Sequence, residues 1–147
     1  MRVFLLSLVL LVSSCASLVQ VEYDEKTDFS EYASFNFYPS LESGLPETEN
    51  EYVIQILDSL MQQKGFIKSE TPRLYVNFFV TETEFSDQNG YYLEQELIVD
   101  FVDVAKDRLA WQGVINGRFE DGVSLQQLWN YYGLLIEKIL NEYPPKS

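Results

Sequence analysis

The chain has no histidine and one cysteine among its 147 residues, and only 10 lysines and arginines against 23 aspartates and glutamates. Without histidine there is no Ser-His-Asp triad, no Cys-His pair and none of the commonest transition-metal ligand. A lone cysteine makes no disulfide within the chain, and no metal or disulfide staple is expected. The formal charge of −13 sets the surface against phosphate backbones and anionic headgroups, which excludes nucleic acid as a working partner.

Long apolar runs are scarce too. Val3 to Val12 is the one extended stretch, ten residues long, where a spanning helix needs roughly 20. Arg2 precedes it and the small residues Ser13 and Ser14 follow, the layout of a secretory leader. The tetrapeptide Val12-Ser13-Ser14-Cys15 resembles a bacterial lipobox, where the leader is cut before a cysteine that carries diacylglycerol on its thiol. Thioether chemistry explains why that residue must be Cys. Ser14 and Ala16 also suit an ordinary signal peptidase, which would discard Cys15 with the leader. The lipidated reading accounts for the position of the sole cysteine, and two or more acyl chains give a stable membrane anchor where one does not. The expected organisation is a leader, residues 1–14, and a single domain, residues 15–147. Hydrophobic residues make up 46% of the chain, including 10 Phe, 10 Tyr and 2 Trp, ample for one core.

Hydrophobic periodicity places the elements. Leu18, Val19 and Val21 read as a short strand close to the anchor, leaving almost no tether. Asp28 to Tyr32 predicts a helical turn, and Ala33 to Tyr38 a strand with Phe35 and Phe37 at period two. Pro39 to Pro46 is loop by composition. Thr48 and Glu51 have the spacing of a capping box that opens a helix over Asn50 to Lys64, with Val53, Ile56, Leu57, Leu60 and Met61 on one face and Gly65 at its end. Leu74, Val76, Phe78 and Val80 alternate with Tyr75, Asn77, Phe79 and Thr81, a strand with two usable faces, and Asn89-Gly90 is a hairpin signal.

Two alternating segments follow, on either side of a turn over Val104 to Arg108. Matching residues whose numbers sum to 212 pairs Phe101 with Trp111, Leu97 with Ile115 and Leu93 with Phe119 on one face. The other face then pairs Glu94 with Arg118, Glu96 with Asn116 and Asp100 with Gln112. Both faces agree on this register, although a shift of two would keep the faces and change the partners. A Ser124/Gln127 capping box opens a last helix, to about Glu142, with Leu125, Leu128, Trp129, Tyr132, Leu135, Ile136, Ile139 and Leu140 in one stripe before Pro144-Pro145. The expected fold is α+β: a two-layer sandwich with a mainly antiparallel sheet of about five or six strands and two helices on one face.

Four segments together, VEYDEKTDFSEYASFNF, LMQQKGF with TPRLYVNFFV, LIVDFVDVAKDRLAWQGV and IEKILNEYPPK, resemble the bacterial lipoprotein family that carries the domain of unknown function numbered 4136. Family members tend to read Pro-Asp-Leu where this chain has Pro72-Arg73-Leu74, and the segment between Thr83 and Tyr91 is short. The resemblance implies a lipid-anchored envelope domain and brings no activity or catalytic residues with it. Ala16 follows the cysteine, not the aspartate that retains many lipoproteins in the inner membrane, which favours the outer membrane facing the periplasm.

Candidate functional residues are few. Carboxylate chemistry would call on Glu94, Glu96 and Asp100, with Asp103 near the strand's end, but a solvated acidic face is the simpler reading and no enzyme is expected. A calcium loop starting at Asp87 fails, because Tyr92 and Ile98 stand where glycine and glutamate are needed. No cofactor or metal is expected. Tyr75 and Phe79 lie opposite the Leu74 face and form a partner-contact patch if the helices cover one face alone; the N-terminal segment covering them fits the pattern equally. Gly113 and Gly117, facing Val99 and Gln95, either admit a helix closely or, with Trp111, leave a pocket for a small amphiphile. The leading expectation is a non-enzymatic envelope module that binds another envelope protein, with the small-amphiphile binder second and a carboxylate hydrolase a remote third.

Overall fold

The computed structural model describes residues 18–145, so the leader and Cys15 lie outside the described residues. Six strands form one sheet in the order β1-β6-β5-β4-β2-β3: Val19–Tyr23, Ser34–Phe37, Ile67–Lys68, Leu74–Asp87, Gly90–Asp103 and Arg108–Glu120 in chain order. Helix α1, Glu47–Gln63, follows β2, and α2, Leu125–Asn141, follows β6. Strand β2 runs parallel to β3 and β4; the remaining pairings are antiparallel. This is the expected α+β sandwich, with the helices on the face that carries Val76, Phe78, Leu97, Val99, Phe101, Trp111 and Ile115. Each fully buried ring of this core contributes about 1.5–3 kcal/mol relative to an exposed one.

The β5–β6 register is the one that sums to 212: Leu93 faces Phe119, Glu94 Arg118, Leu97 Ile115, Asp100 Gln112 and Phe101 Trp111. Beyond Phe101 the sum falls to 211, with Val102 opposite Leu109, so Ala110 is an extra, buried residue on β6. The turn is accordingly shorter than expected, and Asp107 at its end takes a φ of +47°. The β4–β5 turn is centred on Gln88-Asn89, one residue earlier than expected, because Asp87 pairs with Gly90 and its carboxylate accepts a 2.7 Å hydrogen bond from the Asn89 N–H.

Helix α1 starts earlier than its sequence signal. Pro46 occupies the N-cap, with φ fixed at −56°, and no side chain caps the helix. Thr48 is therefore inside the first turn, where it makes no cap bond, and the expected Thr48/Glu51 capping box does not form. The C-terminal end follows expectation: Gly65 N–H reaches Gln62 C=O and Phe66 N–H reaches Met61 C=O, with Gly65 at φ +96°, a Schellman motif. At α2 the Ser124/Gln127 box forms with both of its hydrogen bonds. Leu125 is 58% exposed, because the first helical position points away from the sheet and not along the stripe.

Candidate functional site

The second face of the sheet carries Tyr75, Asn77 and Phe79 from β4, Ile98, Asp100 and Val102 from β5, and Gln112 and Val114 from β6, as the pairing register dictates. Both helices bury their apolar stripes against the opposite face, and no described helix packs on this one. The N-terminal segment, which could have covered it, instead joins the sheet: β1 pairs edge-on with β6, Val19 opposite Ile115 and Tyr23 opposite Trp111. Phe79 is 38% exposed. Tyr75 is half-buried, its ring edge-on to Tyr38 at 5.4 Å. Farther along, Thr81, Thr83, Glu94, Glu96, Asn116 and Arg118 line a shallow concave patch of about 540 Å³ on the same face. At the tip Phe85 stacks on Tyr92 at 5.5 Å, and the Arg118 guanidinium lies 3.3 Å from the Tyr92 ring centre.

On the inner face, α2 occupies the space above Gly113 and Gly117. A Cβ on Gly113 would lie 2.5 Å from the Trp111 ring and 2.8 Å from Ile139, and one on Gly117 would lie 2.2 Å from the Tyr131 hydroxyl and 2.8 Å from Leu135. Trp111 is fully buried and Gln95 is 2% exposed. The Gln95 amide donates to Glu82 at 2.8 Å and to the Tyr132 hydroxyl at 3.2 Å, and that hydroxyl donates to Glu49 at 2.6 Å. Burial first, and the Glu49 carboxylate second, hold the Tyr132 phenol far above its usual range. Four elements, β4, β5, α2 and α1, are tied through this chain of bonds, so Gln95 has a structural employment that its sequence position did not announce.

The carboxylates are spread over both faces. Glu94, Glu96 and Asp100 are on the outer one, where Asp100 accepts a 2.8 Å hydrogen bond from Gln112. Burial raises the Asp100 pKa, against the lowering effect of Gln112, with Glu22 adding to the rise. Along the strand the Cα atoms of Glu96 and Asp100 are about 13 Å apart and those of Glu94 and Glu96 about 7 Å. Asp103, on the inner face, is 3% exposed. Burial works to raise its pKa, but the Tyr32 hydroxyl at 2.7 Å, the Lys106 N–H at 2.9 Å and the Lys106 ammonium at 3.4 Å together hold it below the usual carboxylate range. Burial, with the bond to Asp103, in turn pushes the Tyr32 phenol up to about 12. Among the described residues no group of three or more Cys, Asp or Glu side chains is placed to hold a metal ion.

A six-stranded, two-layer α+β domain with its described helices on one face of the sheet defines the class of protein. The chain belongs to a family: residues 19–145 match the family model described as Domain of unknown function (DUF4136). No curated protein matches the chain. Among solved structures, a PDZ domain protein from Parabacteroides distasonis ATCC 8503 is similar over 89% of this chain, with a TM-score of 0.61 and 13% identity; the chain spans 36% of that protein's length. The PelC dodecamer from Paraburkholderia phytofirmans is similar over 82% of this chain and 97% of its own, with a TM-score of 0.56 and 9% identity. A second PelC dodecamer structure, of a variant, gives a TM-score of 0.53 at 8% identity and covers 82% of this chain. At these identities the likeness is one of fold.

Proposed function

We propose that this protein is a lipid-anchored module of the bacterial cell envelope that faces the periplasm from the outer membrane and binds another envelope protein without catalysing a reaction. The observation that carries the proposal is the open sheet face, where Tyr75 and Phe79 stand beside half-buried Ile98, Val102 and Val114. Aromatic and aliphatic groups flanked by Asn77, Asp100 and Gln112 match the composition of a protein-contact surface, apolar at its centre and polar around it. The leader and Cys15 support the anchor. The absence of histidine, together with a sole cysteine committed to lipid, supports a binding role over chemistry. The PelC structures of the same fold are dodecamers, which supports a second copy of this chain as one form of partner.

A photo-crosslinking residue placed at Phe79 in the full chain, expressed in cells, tests the surface. A discrete adduct with an envelope protein, or with the chain itself, is expected; crosslinks only to lipid or to nothing would overturn it. Mass analysis of the amino terminus tests the anchor, with an acylated cysteine expected and an unmodified, processed chain lacking residue 15 contradicting it.

A further inference from the structure

We propose that the pocket where the C-terminal ends of α1 and α2 meet binds a small amphiphilic acid, a carboxylate carried on a flat ring or a short acyl body. This site is separate from the open sheet face and does not depend on it. The cavity measures about 330 Å³ and is walled by Phe29, Tyr32, Phe66 and Tyr143, with Lys64 at its mouth. That volume is at the small end of the range for ligand sites, which are mostly apolar with a few placed polar groups.

The walls are packed ring against ring. Tyr143 meets Phe29 edge-on at 5.6 Å and Phe66 at 5.7 Å, and behind these rings it packs on Phe101 at 4.8 Å and Trp111 at 5.4 Å. The Tyr143 residue is 5% exposed, and its hydroxyl is buried without a hydrogen-bond partner among the described residues. Beside the rings the backbone of Gly65 leaves the mouth open, since a Cβ there would meet nothing within 4 Å.

Lys64 supplies the recognition. Its ammonium donates to the Tyr143 carbonyl at 3.0 Å, which fixes it at the rim. In a chain with 23 acidic residues, no described carboxylate forms an ion pair with it. Asp103, which accepts from the wall residue Tyr32, is paired with Lys106 and not with Lys64. Desolvation at the rim lowers the Lys64 pKa from its usual value, although the residue as a whole is exposed. A cation fixed at the mouth of an aromatic pocket, without a counter-ion among the described residues, selects a ligand with one acidic head and an apolar body.

The simpler role for Lys64 is to staple the end of α1 to the chain after α2, and the experiment separates the two. Every described strand and helix lies within Val19–Asn141, so the chain from residue 15 onward, with Cys15→Ser, keeps the whole fold and needs no detergent. Calorimetric titration with 2-naphthoate, and with neutral 2-naphthamide as the comparison, is the measurement. We expect 1:1 binding of the acid about five- to tenfold tighter than of the amide. Lys64→Met should remove that preference without changing amide binding, Lys138→Met should change neither, and Ala33→Trp, which fills the pocket from its rim, should abolish both. Equal binding of acid and amide, an unchanged preference in Lys64→Met, binding that survives Ala33→Trp, or no saturable binding would each overturn the proposal. The Ala33→Trp arm keeps it decidable if Lys64→Met does not fold.

Discussion

Placing alanine at Gly113 and at Gly117 tests the packing of α2 on β6 directly. At Gly113 the new methyl would fall 2.5 Å from Trp111 and 2.8 Å from Ile139. Trp111 and Ile139 are both 0% exposed, so neither can swing away and the backbones must part. Overpacking of this kind costs about 1–3 kcal/mol, while the lost flexibility of glycine in the unfolded chain returns about 0.5–1 kcal/mol. With two buried neighbours in the way the cost falls in the upper part of that range, about 2–2.5 kcal/mol, and the net for Gly113→Ala is a destabilisation of about 1–2 kcal/mol. With an unfolding entropy of about 2.1 cal/mol/K per residue, the upper value lowers Tm by roughly 7 °C. At Gly117 the closest atom is the Tyr131 hydroxyl at 2.2 Å, the tip of a half-buried side chain whose hydroxyl has no partner among the described residues. Rotating that ring outward releases an unsatisfied group, and the remaining contact, Leu135 Cδ1 at 2.8 Å, is the free end of a side chain that can shift its rotamer, so Gly117→Ala costs less than Gly113→Ala, within about 1 kcal/mol of wild type. Urea and thermal unfolding of the two variants give the comparison. A Gly113→Ala protein as stable as wild type, or a Gly117→Ala protein that is the more damaged of the two, would refute the close approach of α2 and leave room for a cavity above the glycines.

Ser124→Ala removes a formed capping box and should cost about 1 kcal/mol, whereas Thr48→Ala should change stability by less than about 0.5 kcal/mol, as urea midpoints will show. Asp103→Asn should cost about 1–3 kcal/mol at pH 7. Because the folded pKa of Asp103 lies below its unfolded value of 3.8, that contribution is complete above about pH 5, and the gap to wild type closes as pH falls through the folded pKa. Asp100 carries the opposite sign: its raised pKa means that the ionised form weakens the fold at neutral pH, so Asp100→Asn should stabilise at pH 7 and lose its advantage on acidification. Thermal unfolding from pH 3 to 8 checks both variants.

What could be read from the chain was what repeats locally. The β5–β6 register was legible because apolar pairs on one face and Glu94–Arg118 and Asp100–Gln112 on the other converge on one pairing sum. The extra residue Ala110 was not, since a small apolar residue in an alternating segment carries no mark of a bulge. Thr48 and Glu51 matched a capping signature, yet Pro46 had already set where the helix begins. The bonds that join the layers were out of reach: Tyr32 to Asp103 spans 71 residues and Tyr132 to Glu49 spans 83, and neither leaves a local pattern. Whether Tyr75 and Phe79 were covered turned on the path of the N-terminal segment, and β1 decided it by pairing with β6 at the sheet's edge. The glycine opposite Gln95 is the one mark it carries in the sequence, whereas the two hydrogen bonds its amide donates depend on α2 and β4, distant in the chain.

The most direct test of the proposed role is affinity recovery of the crosslinked full-length protein from cells, compared with the Tyr75→Ser/Phe79→Ser double variant and with a Cys15→Ala form carried by a cleavable leader. The expected result is a defined protein partner recovered with wild type, lost with the double variant while its Tm stays within a few degrees, and reduced when the anchor is removed. Undiminished recovery with the double variant, or the absence of any protein partner from the wild-type sample, would contradict the assignment of the open sheet face as the contact surface.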